Sequence, residues 1–308
     1  MRSNWGTGLA RLATAILLVA GSSTQAAVVA PATSSATRPA SSPDRAAALD
    51  LLLPVGKPDV RSSSVLIIDE SNSSVLYSKK AEVAAPIASI TKLMTALVVL
   101  EGNQPLDEML QITPDDRDNE KGSGSRLTVG TKLSRGDLLH LALMSSENRA
   151  AHAVGRNYPG GLPAMVRAMN AKATALGMKH ARFVDPTGLS SRNVASPADL
   201  SRLVIAASDN PIIREYSTHA HFAVPVGKRL LEFRNTNTLV LNRDWDITVQ
   251  KTGYISEAGQ CLVMQAIIKE RPVVIILLNS FGKYTRVADA RRIRKWMETR
   301  QLSASRAH

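Results

Sequence analysis

Ile247-Thr-Val-Gln-Lys251, Cys261-Leu-Val-Met-Gln-Ala-Ile-Ile-Lys269 and Val273-Val-Ile-Ile-Leu-Leu278 are three strand-like runs in close succession. Apolar and β-branched residues fill them, as a pleated and buried surface requires. The connections, 253–259 and Glu270-Arg271-Pro272, are too short for the crossover that a parallel pair needs, so the runs read as antiparallel hairpins. Upstream, residues 64–69 and 75–79 are two further β-rich runs around Ser71-Asn-Ser-Ser74. Between these groups, helical spacing predicts helices near 89–100, 135–142, 150–155, 163–176 and 196–207, and a last helix follows over 286–300. Gly177 and Ser196-Pro197 supply the stop and start signals of two of them. The order predicts an α/β chain of the α+β type: an antiparallel sheet of about five strands, built from both ends and covered by helices from the middle.

The remaining sequence is organised around that block. Arg2 and Arg11 flank the start, Leu12–Ala20 is a short apolar run, and small residues fill 21–27. This is the order of a secretory leader with cleavage expected after Ala26, since the run falls short of the ~20 residues a membrane span needs. Residues 27–60 shift to Ala, Pro and Ser and read as a mobile tether. The expected layout is therefore a leader over 1–26, a linker over 27–60, one catalytic domain over 61–300 and a tail over 301–308. An exported protein without a stable membrane anchor after cleavage, resident in the periplasm, is the implied destination.

Composition narrows the function classes. The net charge of +12 could suit nucleic acid or an anionic polymer, but the cations are scattered and aromatics are only 4%. No nucleic-acid motif is present, so a solvated basic surface is the better reading. A single cysteine, Cys261, excludes an internal disulfide and a multi-cysteine zinc site. His219 and His221 lack a metal-ligand partner set and read as exposed loop histidines. No His-Glu-x-x-His, phosphate loop or Gly-x-Ser-x-Gly elbow occurs, and no cofactor or metal is implied.

Three motifs carry chemistry: Ser89-Ile-Thr-Lys92, Ser146-Glu-Asn148 and Lys251-Thr-Gly253, in that order. Ser89 and Lys92, three apart on a helix, present both side chains on one face. A serine hydroxyl needs such a base to become a nucleophile. Lys92 can serve only if neutral, through desolvation or a second cation, for which Lys251 is the candidate. The Lys-Thr-Gly run offers a charge, a hydroxyl and a residue without side chain at a strand edge. Decoys exist at Ser280-Phe-Gly-Lys283, Ser191-Arg-Asn193 and Ser208-Asp-Asn210. The first follows Lys-Thr-Gly, in the wrong order, and the last reads as a helix stop before Pro211. Gly122-Ser-Gly-Ser125 reads as a loop at the cleft mouth.

The trio is the one shared by penicillin-binding proteins and class A β-lactamases. With Pro86-Ile-Ala-Ser-Ile-Thr-Lys-Leu-Met-Thr-Ala96, Leu141-Ala-Leu-Met-Ser-Ser-Glu-Asn-Arg-Ala-Ala151 and Arg182-Phe-Val-Asp-Pro-Thr-Gly-Leu189, the chain resembles the D-alanyl-D-alanine carboxypeptidase/endopeptidase family of low-molecular-mass penicillin-binding proteins over about 62–300. Phe233-Arg-Asn-Thr-Asn237, Lys251-Thr-Gly-Tyr254 and Phe281-Gly-Lys-Tyr284 look more like its endopeptidase branch. The resemblance implies a serine β-lactamase/DD-peptidase fold, peptidoglycan as substrate and acylation by penicillins. It implies Ser89 as the acylated nucleophile, Lys92 as proton acceptor and Ser146 as relay to the leaving amine. Asn148, Lys251, Thr252 and Gly253 would bind substrate, and the amides of Ser89 and Tyr254 would form the oxyanion hole. No Glu-x-x-Leu-Asn lies between Ser146 and Lys251, so fast β-lactam hydrolysis is not expected. The lack of a further β domain and of an amphipathic tail points the same way as the endopeptidase motifs. A carboxypeptidase trimming terminal D-alanine and a non-hydrolytic β-lactam or muropeptide sensor remain the alternatives.

Overall fold

The computed structural model describes residues 56–305; the expected leader, and the linker up to residue 55, lie outside the described residues. The two N-terminal runs are β1 (Ser64–Asp69) and β2 (Ser74–Lys79), and the three later ones are β5 (Asp246–Ile255), β6 (Gly259–Ile268) and β7 (Arg271–Ser280). They form one sheet in the order β2-β1-β7-β6-β5, antiparallel throughout. The first strand therefore pairs with the last, with Ile67 opposite Ile275, which closes the two chain ends into one sheet.

Between them lie α1 (Thr91–Glu101), α2 (Arg135–Met144), α3 (Asn148–Arg156), α4 (Gly161–Ala175), α5 (Pro197–Ser208) and α6 (Pro211–Thr218), and α7 (Thr285–Ser305) ends the fold. The apolar runs of the strands serve two cores because alternate side chains point to opposite faces. Val274, Ile276 and Leu278 join the helices from the middle of the chain. Val273, Ile275 and Leu277 join Ala290, Ile293 and Met297 of α7. Burial on both faces is the reason β6 and β7 read as continuous hydrophobic runs and not as alternating ones. Cys261 is fully buried in β6, as expected.

Several details depart from the sequence reading. The helix expected to begin at Ser89 begins at Thr91, and Ser89 sits in a preceding 3-10 turn, Ala88–Ile90. The Ser208–Asn210 segment is more than a stop: the Asn210 side chain accepts hydrogen bonds from the amides of Ile212 and Ile213 at 3.0 and 3.2 Å and caps α6. That helix and the hairpin β3 (His221–Val226) and β4 (Arg229–Arg234) had no clear periodic signal. Both histidines are exposed, as expected: His219 follows the last turn of α6 and bonds His140 at 3.1 Å, whereas His221 opens β3 and is not in a loop. The last helix runs on to Ser305, past the expected start of the tail.

Candidate active site

The 3-10 turn and the first turn of α1 set the geometry at one end. Ser89 is half-buried, whereas Lys92 is 1% exposed. Lys92 Nζ lies 2.8 Å from Ser89 Oγ, 2.7 Å from Asn148 Oδ1 and 2.6 Å from the Thr187 carbonyl oxygen. An ammonium would donate to all three. A neutral amine can donate to Asn148 and Thr187 and keep its lone pair for the serine proton. Burial pushes the Lys92 pKa down to about 7, against the opposing charges of Asp185, Glu147 and Asp118. Of the two routes expected, desolvation is the one that lowers it, and Lys251 is not among the causes.

The turn that supplies the Thr187 carbonyl is organised by Asp185. Its Oδ1 accepts from the amides of Thr187 and Gly188, both at 2.7 Å, and from the Thr187 hydroxyl at 2.6 Å. Gly188 has φ +83° and packs against Ala88, which itself has φ +48°. Asn193 ties this turn to α1 by donating to Thr91 Oγ1 at 3.1 Å and to the Asp185 carbonyl at 2.9 Å. The Ser191-Arg-Asn193 match is thus structural.

The second wall is the break between α2 and α3. Ser146 has φ +62°, a conformation rare outside glycine, and its hydroxyl makes no hydrogen bond to another described residue. Glu147 caps α3 through the Arg149 amide and accepts a 2.5 Å bond from Ser125. Burial raises the Glu147 pKa. Asn148 donates to Ser123 Oγ at 2.8 Å. The Gly122–Ser125 loop is therefore fastened to the site by both its serines.

Strand β5 forms the opposite wall. Lys251 is fully buried with Nζ 3.0 Å from the Thr252 carbonyl. Burial first, then the charges of Lys92 and Arg286, drive its pKa well below the ordinary lysine value. Thr252 Oγ1 shares a 2.6 Å bond with Thr236 Oγ1. Gly253 is where the strand touches the Ser89 turn: a Cβ there would lie 2.9 Å from the Ile87 carbonyl and 3.2 Å from the Ser89 nitrogen. Arg286, at the start of α7, donates to the carbonyls of Gly253 and Cys261 at 2.8 and 3.1 Å. Tyr254 follows and is 61% exposed.

The three motifs, separated by more than fifty residues each, thus converge on one place. The decoy serine does not join them: Ser280 Oγ pairs with Ser62 Oγ at 2.7 Å beside Asp289 and is 2% exposed. Sequence reasoning assigned no role to Thr187, Asp185, Gly188, Thr236 or Arg286. A turn was legible in Asp185-Pro-Thr-Gly188, but its contact with Lys92 was not. Among the described residues no group of three metal-ligating side chains converges, and no helix is long and apolar enough to cross a membrane.

Comparison with known proteins agrees with this geometry. The D-alanyl-D-alanine endopeptidase of Pseudomonas aeruginosa is 50% identical over 248 residues, 80% of each chain. That of Escherichia coli is 47% identical over 247 residues, 79% of each chain. The Streptomyces K15 DD-transpeptidase structure superposes with a TM-score of 0.72 at 27% identity, covering 78% of this chain and 98% of that one. The model of the S11 peptidases, described as D-alanyl-D-alanine carboxypeptidases, matches residues 53–282, and the chain belongs to that family of serine DD-peptidases.

Proposed function

We propose that the chain is an exported D-alanyl-D-alanine endopeptidase that hydrolyses D-alanyl–diaminopimelate cross-links of peptidoglycan through an acyl-enzyme on Ser89, and that penicillins acylate the same serine. The observation that carries this reading is the buried Lys92 amine 2.8 Å from Ser89 Oγ, its pKa lowered to about 7. The endopeptidases at 50% and 47% identity favour the cross-link as substrate over terminal D-alanine; a relative named D-alanyl-D-alanine carboxypeptidase, from Streptomyces sp. strain K15, is 31% identical over its aligned residues.

In this mechanism neutral Lys92 takes the Ser89 proton as Oγ attacks the D-alanyl carbonyl carbon. The oxyanion forms against the amides of Ser89 and Tyr254. Ser146 passes the proton to the departing amine, the C–N bond breaks, and water then releases the acyl group. Asn148 holds a substrate amide, while Lys251 and Thr252 meet its carboxylate, and Gly253 lets the strand approach the Ser89 turn closely. Arrival of that carboxylate opposes the effect of burial on Lys251, because an opposite charge nearby favours the ionised form.

Two results test the proposal. The base must be neutral, so the acylation rate rises with pH, half-maximal at about 7, and falls about tenfold per unit below that value. Stopped-flow acylation by a chromogenic cephalosporin between pH 5 and 9 measures it, and a flat profile would remove Lys92 from the base role. Mass spectrometry of cross-linked sacculi and of pentapeptide muropeptides measures the reaction itself. The expected outcome is conversion of cross-linked to monomeric species. Loss of a single alanine from pentapeptides, with cross-links intact, would make the chain a carboxypeptidase; acylation with neither change would make it a sensor.

A further inference from the structure

Past Gly253 the site-bearing strand ends in an aromatic patch whose rings have no part in the proposed hydrolysis. Among the described residues, the exposed aromatic side chains are Tyr254, Phe281 and Tyr284, at 61%, 93% and 74% exposure. In a chain with only 4% aromatics, their gathering at one end of the sheet is not a matter of composition. Isolated exposed apolar residues are ordinary, but clustered ones mark a contact surface. A surface cavity of about 460 Å³ lies there, lined by Tyr254, Ser256, Gln260, Asn279, Phe281 and Lys283. That volume lies within the ~300–1,000 Å³ range of small-ligand sites.

The patch lies at the end of the same strand that lines the active site, on its opposite face. Gly253 faces Ala88 and Ser89, so Tyr254, the next residue of the strand, faces the other way, with its pairing partner Gln260 on the same side. Tyr254 stands two residues beyond Thr252, about 7 Å along the strand. Lys283 lies 5.6 Å over the Tyr284 ring and steadies the turn.

The lining decides the occupant. Flat rings surrounded by a serine hydroxyl and two side-chain amides suit a ligand with an apolar face and a rim of hydroxyl and amide groups. A wholly apolar partner would leave Gln260 and Asn279 without hydrogen bonds. A cation would meet Lys283 and no carboxylate in the lining. A pyranose ring with an acetamido substituent has the required face and rim. We infer that Tyr254, Phe281 and the amides of Gln260 and Asn279 form a subsite for an N-acetylhexosamine ring of the glycan strand whose peptide stem occupies the Ser89 site. A stem of a few residues reaches on the order of 10 Å, enough to place the strand there. The inference rests on the peptidoglycan reading given above.

The test separates the two. Binding of N-acetylglucosamine hexamer to the full chain is measured by calorimetry for the unmodified protein, Phe281→Ala and Phe281→Tyr. Cross-link hydrolysis in sacculi and acylation by penicillin are followed in parallel. The subsite predicts hexamer binding that Phe281→Ala weakens about tenfold and Phe281→Tyr preserves, since one aromatic stack changes affinity by about that factor. It also predicts a KM for sacculi raised similarly with kcat and penicillin acylation unchanged. Absence of hexamer binding by the unmodified chain overturns the inference. So does equal loss of acylation in Phe281→Ala, which would make the ring structural. A concentration-dependent dimer that Phe281→Ala abolishes would assign the patch to a second copy instead. Hexamer binding without cleavage of sacculi would uphold the sugar site and overturn the hydrolytic reading alone.

Discussion

Ser89→Ala leaves a folded protein that neither takes up a penicillin label nor opens a cross-link. The nucleophile has no neighbour able to replace it. Ser146 is held in the other wall with φ +62°, and the next Ser-x-x-Lys serine, Ser280, is 2% exposed and bonded to Ser62. In the proposed mechanism Ser89 and Lys92 act as one unit, so loss of either should remove nearly the whole chemical advantage, a factor of about 10⁴ or more in turnover. Stability should hardly change: Ser89 is half-buried, and Lys92 keeps Asn148 and the Thr187 carbonyl as partners. Intact-protein mass after incubation with penicillin, with thermal melting as control, reads both effects. A covalent adduct on the variant would show that the nucleophile lies elsewhere. Ser280→Ala is the matched control. It removes a buried hydroxyl pair worth about 1 kcal/mol and should leave labelling at the unmodified rate.

Gly188→Ala should be nearly as damaging without touching a reacting group. Gly188 sits at φ +83°, and a Cβ there would lie 2.0 Å from the Ala88 carbonyl oxygen and 2.9 Å from the Ser89 nitrogen. Both contacts are with backbone, so no side chain can swing aside. Either the Asp185 turn retreats, and Lys92 loses the Thr187 carbonyl, or the nucleophile turn moves. The left-handed conformation alone costs about 1 kcal/mol or more for alanine. A displacement of about 1 Å at the nucleophile costs on the order of 10² in rate. The expected variant melts lower and acylates about 100-fold more slowly, even when assayed well below its melting temperature. Unchanged melting together with an unchanged acylation rate would mean that the turn and the nucleophile are not packed as described.

The division between what was readable and what was not follows the distance along the chain over which each feature acts. The Ser89–Lys92 contact was legible because it is local: residues three apart meet in helical geometry, and they do so here across the junction of the 3-10 turn and α1. The antiparallel order of β5, β6 and β7 was legible for a related reason, since connections of a few residues leave no other route. The caps at Ser196 and Gly177 were readable from their own side chain or its lack. By contrast, α6 and the hairpin β3–β4 are short and half-exposed, and tertiary packing rather than periodicity maintains them.

The sequence by itself determined the sheet, the helical layer and the identities of the candidate nucleophile, base and carboxylate-binding strand. It did so through local spacing, motif order and connection length. The tertiary structure alone decided what makes that base usable. Lys92 is brought to Asn148 across 56 residues and to the Thr187 carbonyl across 95, and a backbone oxygen leaves no mark in a sequence. Its lowered pKa is likewise a property of burial, which many distant residues create together and no motif records.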